Sequence, residues 1–397
     1  MIIGIDGSRA FFPQRTGIEE YSYQVIKHLV DKLKDHEVVL FVRKSQQINF
    51  SLPENWTVKI IKWPRFWTQI GLSLEMLLHP VDVLFVPAHT VPFIHPARNA
   101  SLFMLALSIQ SILKTLGIST YYNKHSDAGG PKKTIVTVHG LEYEIMPQAY
   151  SGWERFYMRL SIKNSCRWAQ TIIAVSENTK KDLMRLYQVP ESKIEIVYEG
   201  YEDNFEIKKF KIESKFKIQN SKFLLFIGRL EERKNILGII KAFEILKEKY
   251  SIPHKLVLAG RSGYGFSKIE VAISSSKYNI DIVQLGFVPD EDKFQLIAQA
   301  DVFMFPTLYE GFGIPVLEAQ SVGVPVVTSN VSSLPEVAGD SAILVDPNDS
   351  VSMAEQTYAL ISNKSLRDAI IKKGYENVEK FSCEKCAQEI SEVLIMR

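Results

Sequence analysis

The feature that most constrains this chain is a strand–helix alternation that runs twice. Short apolar runs at 2–5, 37–41, 58–61, 81–86, 134–138, 171–175 and 194–197 are separated in most gaps by helical stretches such as 18–34, 153–168 and 177–187. Runs of that length suit strands buried on both faces, and such alternation folds into a parallel sheet covered by helices. From about 199 to 222 the sequence turns polar and loses its period, which reads as a linker. The alternation then restarts, with strands at 223–227, 255–259, 282–285, 301–306 and 326–328 and helices at 236–249 and 290–298. Two domains are also what 397 residues predict by length alone. The expected division is 1–200 and 201–380, followed by a C-terminal helix within 381–397 that packs back on the first domain or stays with the second.

Composition excludes several classes. Net charge is +2, from 47 Lys and Arg against 45 Asp and Glu, so no global field argues for nucleic acid. The opening residues run directly into a strand pattern and leave no room for a signal peptide, and three cysteines build no disulfide framework. Both points predict a cytoplasmic protein. Cys383 and Cys386 form a C-x-x-C, but without a second pair or a histidine cluster they read as ordinary helix residues. Residues 100–130 fit the alternation badly. They hold an apolar helical run that is too short and too interrupted to span a bilayer. A buried or partner-packing helix is the ordinary reading, and a peripheral, in-plane contact at the inner face of the membrane is the sharper one.

The chemistry concentrates in residues 301–320, DVFMFPTLYEGFGIPVLEAQ. An apolar strand, a glycine turn and a helix with Pro315 in its first turn leave backbone N–H groups pointing at whatever binds there. Glu310 and Glu318 frame that turn. Carboxylates beside an anion cradle make sense if the same ligand also carries hydroxyls, as a sugar or ribose does. Earlier in the same half, FLLFIGRLEERKN places Arg229 after the strand and Lys234 where the next helix begins, two cations able to hold a diphosphate. Within that turn Glu231, Glu232 and Arg233 read as solvated. At IVQLGFVP the turn Gly286–Phe287–Val288 ends a strand with backbone groups available to a planar base. Asp290 and Asp292 form a D-x-D, but after Pro289 at a helix start they read as capping residues rather than a metal site.

Taken together, these residues resemble the family 4 glycosyltransferases, nucleotide-sugar enzymes of the GT-B fold. The matching elements are G-R-x(4)-K at 228–234, the G-F-V-P turn at 286–289, and E-x(7)-E from Glu310 to Glu318 with its E-G-F-G start. The T-V-H-G at 137–140, the V-S-E-N at 175–178 and the glycine at Thr16–Gly17 match as well. Four such motifs in the right order are specific, and they span nearly the whole chain. The resemblance implies two doubly wound Rossmann-like domains facing each other across a cleft, an acceptor domain first and a donor domain second. It further implies that Arg229 and Lys234 bind the donor diphosphate and that Glu310, Gly311, Phe312 and Gly313 hold the transferred sugar. Glu318 would take the ribose, Gly286 to Val288 the base, and Gly17 would approach the phosphates, with His139 near the anomeric carbon.

The implied reaction is retaining and metal-independent hexosyl transfer with no cofactor, from a donor such as GDP-mannose or UDP-glucose. The acceptor is a glycan or a lipid-linked glycan in surface polysaccharide or envelope synthesis. A GT-B epimerase and a non-catalytic sugar-nucleotide-binding protein stay open as alternatives. An NAD-dependent oxidoreductase does not fit, because no G-x-G-x-x-G follows any strand. Two departures from the family stand out: Gly17-Ile18-Glu19-Glu20 replaces a second glycine, and residues 100–130 look like an insertion.

Overall fold

The structure is a computed structural model that describes residues 1–44, 46–92, 133–202 and 221–396. The expected insertion at 100–130 and most of the expected linker lie outside the described residues. Two compact units result, one of 1–141, 151–200 and 383–397, the other of 142–150 and 201–382.

The first unit is a seven-stranded parallel sheet in the order β3-β2-β1-β4-β5-β6-β7. Its strands are β1 (Ile2–Asp6), β2 (Glu37–Arg43), β3 (Trp56–Ile61), β4 (Val83–Val86), β5 (Lys133–Val138), β6 (Thr171–Ala174) and β7 (Ile194–Ile196). The order turns about β1, which lies between β2 and β4, so ligand-binding loops are expected where β1 and β4 end. β1 and β4 are buried along their whole length, which is why their sequences are continuous apolar runs rather than alternating ones.

The C-terminal helix, Cys383–Ile395, belongs to this unit. Its face Cys386, Ala387, Ile390, Val393 and Leu394 joins the core that also holds Tyr21, Val25, Ile26 and Leu29 of the Gly17–Lys32 helix. Lys133 Nζ donates to the Val393 carbonyl at 2.8 Å, satisfying an orphan acceptor of the last turn. Both C-x-x-C cysteines are buried thiols, not joined in a disulfide.

The second unit is a six-stranded parallel sheet, ordered β10-β9-β8-β11-β12-β13. Its strands are β8 (Phe223–Ile227), β9 (Lys255–Ala259), β10 (Ile282–Gly286), β11 (Val302–Phe305), β12 (Val326–Ser329) and β13 (Ile343–Val345). Here the order turns about β8, between β9 and β11. The short β13 and the helices Phe266–Ser275, Ser350–Ser362 and Lys364–Val378 carry no motif in the sequence reading and emerge only in the fold.

One expectation is corrected. Continuity in sequence places residues 142–150 in the first domain, yet they group with the second unit. There the Tyr143 and Tyr150 rings lie edge to face at 6.4 Å. Burial first, and then the Glu142 charge, push the Tyr150 phenol up to about 12, with Arg233 and Arg229 among the charges that act on it. Among the described residues no helix is long and apolar enough to cross a membrane.

Candidate active site

The site in the second unit is built on strand ends. β10, β9 and β8 lie side by side, and each ends at a glycine with positive φ: Gly286 at +68°, Gly260 at +144° and Gly228 at +152°. Gly260 N donates to the Gly286 carbonyl at 2.7 Å and Gly228 N to the Ala259 carbonyl at 3.0 Å. A Cβ on Gly260 would fall 1.8 Å from the Gly228 carbonyl oxygen, so only glycine lets the two strand ends approach this closely. Gly286 sits at a register shift in the β9–β10 ladder, and a Cβ there would meet nothing within 4 Å. Beyond it Phe287 is exposed with the Arg261 guanidinium over its ring at 4.4 Å, while Val288 is buried.

Where β8 and β11 end, three charges share one site. Lys234 Nζ lies 2.5 Å from Glu310 Oε1, and Arg233 Nη1 lies 3.2 Å from Glu310 Oε2. Arg233 also pairs with Glu231 at 3.0 Å and donates to the Tyr309 carbonyl at 2.8 Å. Burial alone would raise the Glu310 carboxyl, but Lys234 and then Arg233 outweigh it and hold it below its ordinary value. The Lys234 ammonium is held low, by burial first and with Arg233 adding, against the pull of Glu310. Glu310 is an ionised carboxylate between two cations, and with Glu231, which also pairs with Arg233, the formal charges of the four groups cancel.

Local backbone holds this geometry. Asn235 takes the left-handed conformation, φ +57°, which asparagine tolerates. Its side chain donates to the Pro306 carbonyl at 3.0 Å and the Pro347 carbonyl at 2.7 Å, tying the Lys234 turn to the end of β11. The Glu310–Phe312 turn is held by two serines. Glu310 N donates to Ser332 Oγ at 3.0 Å, and Ser333 Oγ donates to the Glu310 and Phe312 carbonyls at 3.0 and 2.6 Å. Gly313 then turns at φ +123° into the Ile314–Ser321 helix, with Leu334 Cδ2 only 2.7 Å from where a Cβ would stand. Pro315 in the first turn forfeits no intrahelical bond. Along that helix Glu318 pairs with Lys293 at 2.7 Å, and Lys293 also lies 3.3 Å from Asp290. Burial opposes the charge on Lys293, but Glu318 and Asp290 outweigh it and raise the ammonium above its ordinary value.

The structure therefore brings Lys234, Glu310, Gly311, Phe312 and Gly313 into one neighbourhood. Arg229 is different: its residue is exposed, while Arg233, read from sequence as solvated, has a side chain 16% exposed and joined to Glu310. That reading is corrected. Four residues apart in one turn, the two arginines look alike in sequence. The turn aims one inward because Glu231 and Glu310 wait for it. Ser332, Ser333 and Gly260 were also missed, and only the dipeptide Ala259–Gly260 at a strand end hinted at the last.

In the first unit His139 follows β5. Its Nδ1 lies 2.7 Å from Glu199 Oε1 and its Nε2 2.9 Å from the Pro87 carbonyl, just past β4. Its backbone N–H donates to His89 Nδ1 at 3.3 Å. Burial, and then the charge of His139, press His89 down to about 3, so His89 is neutral. Gly17 opens the Gly17–Lys32 helix with nothing within 4 Å of its Cβ position. Glu19 closes a capping box on Thr16, and Glu20 pairs with Arg15 at 2.6 Å. The carboxylates of Gly17-Ile18-Glu19-Glu20 thus cap the helix and tie it to Arg9 and Arg15 in the segment before it.

Two family profiles match, Glycosyltransferase Family 4 over residues 15–205 and Glycosyl transferases group 1 over residues 207–377. O-antigen chain mannosyltransferase B of Escherichia coli is 31% identical over 262 residues, which are 65% of this chain and 69% of that protein. The capsular polysaccharide biosynthesis glycosyltransferase CapM of Staphylococcus aureus is 32% identical, over 64% of this chain and 68% of that one. Among solved structures, Anabaena HepE in complex with UDP and glucose aligns with TM-score 0.66 at 16% identity, covering 99% of both chains. The sucrose-phosphate synthase of Thermosynechococcus elongatus aligns with TM-score 0.68 at 17% identity, covering 99% of this chain and 98% of that one. At those identities the likeness shows the fold, two Rossmann-like units of GT-B type.

Proposed function

The chain belongs to the family 4 glycosyltransferases and is a nucleotide-sugar glycosyltransferase of polysaccharide synthesis; from that premise we propose that it is a retaining, metal-independent hexosyltransferase that needs no cofactor. The observation that carries the proposal is the buried Lys234–Glu310–Arg233 trio beside the Gly313–Ile314 helix start. Retaining transfer builds oxocarbenium character on the sugar and negative charge on the leaving diphosphate. The buried Lys234 ammonium and the free N–H groups of a helix N-terminus are fixed donors preorganised for that charge, which is the role a divalent cation plays elsewhere. The bond from C1 to the diphosphate oxygen breaks, the diphosphate keeps the electron pair, and the acceptor oxygen bonds to C1 from the same face. The acceptor's proton passes to the departing phosphate.

Lys234 and Arg229 are assigned to the diphosphate, with Glu310 and the backbone of Gly311 to Gly313 on the sugar. Glu318 is assigned to the ribose, Gly286 to Val288 to the base, Gly17 to the phosphates and His139 to the sugar. The two mannosyltransferase and capsular relatives support a GDP-mannose or UDP-hexose donor and a glycan or lipid-linked acceptor.

The test is a panel of sugar nucleotides, with and without acceptor and with excess chelator. Acceptor-dependent release of nucleotide, unchanged by chelator, with the donor's anomeric configuration kept in the product, supports the proposal. Inversion or chelator sensitivity rejects it, and a converted sugar nucleotide without acceptor makes the protein an epimerase. Binding without turnover makes it a sensor.

Glu318 gives a narrower test. Ribose contacts act alike in ground and transition states, so Glu318→Ala should raise the donor KM about tenfold with kcat little changed, the loss of one charge-assisted hydrogen bond. Steady-state kinetics on the best donor check it, and a collapsed kcat at constant KM moves Glu318 into the chemistry.

We place the enzyme in the cytoplasm, peripheral to the inner face of the membrane. Support comes from the Gly152–Trp168 helix, whose outward residues are Trp153, Phe156, Leu160, Arg159, Lys163 and Arg167. Aromatic and basic side chains interleaved on one face suit an anionic lipid surface, with the rings at the headgroup level. Trp153→Ala with Lys163→Glu should cut co-sedimentation with vesicles containing phosphatidylglycerol at least severalfold while donor turnover in solution stays intact. Equal sedimentation of variant and parent rejects this surface.

A further inference from the structure

The His139 ring is held by two acceptors. Glu199 offers a carboxylate at 2.7 Å from Nδ1, and Pro87 a carbonyl at 2.9 Å from Nε2. A neutral imidazole has one N–H and one bare nitrogen, and so can serve only one of them. Both bonds form if the ring is an imidazolium facing a carboxylate, or if a protonated Glu199 donates to a neutral ring. Imidazole is ordinarily the stronger base, by about two pKa units, so the proton belongs on the ring.

The surroundings agree. His89, the other ionisable group against this ring at 5.2 Å between centroids, is neutral and uses its Nδ1 to accept the His139 backbone N–H. Tyr21, from the Gly17–Lys32 helix, meets the His139 ring edge to face at 4.5 Å, and its hydroxyl lies 3.3 Å from Thr137 Oγ1. Beyond these, Arg9 acts on His89 and Cys386 on Tyr21, and neither carries a negative charge near neutral pH. Among the described residues Glu199 is therefore the anion that balances the ring. It stands after β7, at the end of the first unit, sixty positions from its partner.

We propose that Glu199 is a positioning residue for sugar transfer, locking His139 as an imidazolium between its own carboxylate and the Pro87 carbonyl. Resting on the transferase reading above, this adds that His139 contributes a fixed charge and a fixed ring, not a proton acceptor. With both nitrogens occupied it cannot take the acceptor's proton, which leaves that task to the departing phosphate.

The distinguishing variant is Glu199→Gln. A glutamine can donate to Nδ1 while Nε2–H still reaches Pro87, so both hydrogen bonds survive and only the charge is lost. Nitrogen NMR of the full chain labelled at histidine, with His139 assigned by its loss in His139→Gln, should find two protonated ring nitrogens from pH 6 to 8. In Glu199→Gln one should be bare. The kcat of Glu199→Gln should fall at least tenfold with donor KM within about threefold and an unchanged melting temperature. A bare nitrogen on His139 in the parent at pH 7 overturns the proposal, as does parental kcat in Glu199→Gln or a loss of melting temperature that accounts for the lost activity. The charge state is read without any substrate. A parent that transfers no sugar therefore defeats the transferase reading and the positioning role with it, while the imidazolium lock is still decided by the ring nitrogens.

Discussion

Lys234→Ala is expected to lower kcat by about a hundredfold or more, the scale of removing one preorganised donor from developing charge, about 2.7 kcal/mol. The residue sits where this loss is not repaired by water. It is buried, paired with Glu310 at 2.5 Å, with its ammonium 5.0 Å from the Phe305 ring centre. Removing it leaves Glu310 with Arg233 alone, and because Arg233 also pairs with Glu231 the cluster is left with one excess negative charge. The same geometry predicts a pH dependence. Burial holds the Lys234 ammonium below its ordinary value, and a group lowered in this way is charged below its folded pKa and loses the proton as pH rises through it. Activity should therefore fall on the alkaline side, earlier than an ordinary lysine would dictate. Lys234→Arg should remove that alkaline fall, because guanidinium stays charged. Steady-state kinetics across pH decide it. A Lys234→Ala enzyme within tenfold of the parent at neutral pH takes this side chain out of leaving-group stabilisation.

Gly260→Ala is expected to cost about 3 kcal/mol or more, from backbone strain at φ +144° together with a clash that no side chain can relieve. The obstructing atom is the Gly228 carbonyl oxygen, 1.8 Å from the new Cβ, and it belongs to the neighbouring strand end. Relief would require β8 and β9 to separate where the site is built. Gly286→Ala is the internal control: its φ is +68° with nothing within 4 Å, so only the left-handed backbone cost of roughly 1–2 kcal/mol remains. Denaturant unfolding of the two variants should separate them clearly. Equal costs would mean the strand ends part without penalty.

Much of the architecture was legible because burial writes itself into the chain. β1, β4 and β11 announce themselves as continuous apolar runs because both faces are covered, while β3 and β10 keep enough apolar residues on one face to be read. β13 did not, being three residues at the sheet edge and only partly buried. In the site, Lys234, Glu310 and the glycine turn stood out by type and spacing. Arg233 did not, because its role depends on which way one short turn points. Residues 142–150 were misassigned by the natural assumption that neighbours in sequence share a domain.

What the sequence by itself determined is the doubly repeated parallel α/β plan, the places of the strand-end motifs and the kinship with family 4. These rest on local periodicity and residue type, which need no knowledge of strand order. Only the tertiary structure decided which charges meet: Arg233 rather than Arg229 on Glu310, Glu199 on His139, and Gly260 under the Gly228 carbonyl. Crossover connections place residues side by side that lie tens of positions apart, and a charge takes its meaning from the partner across that gap.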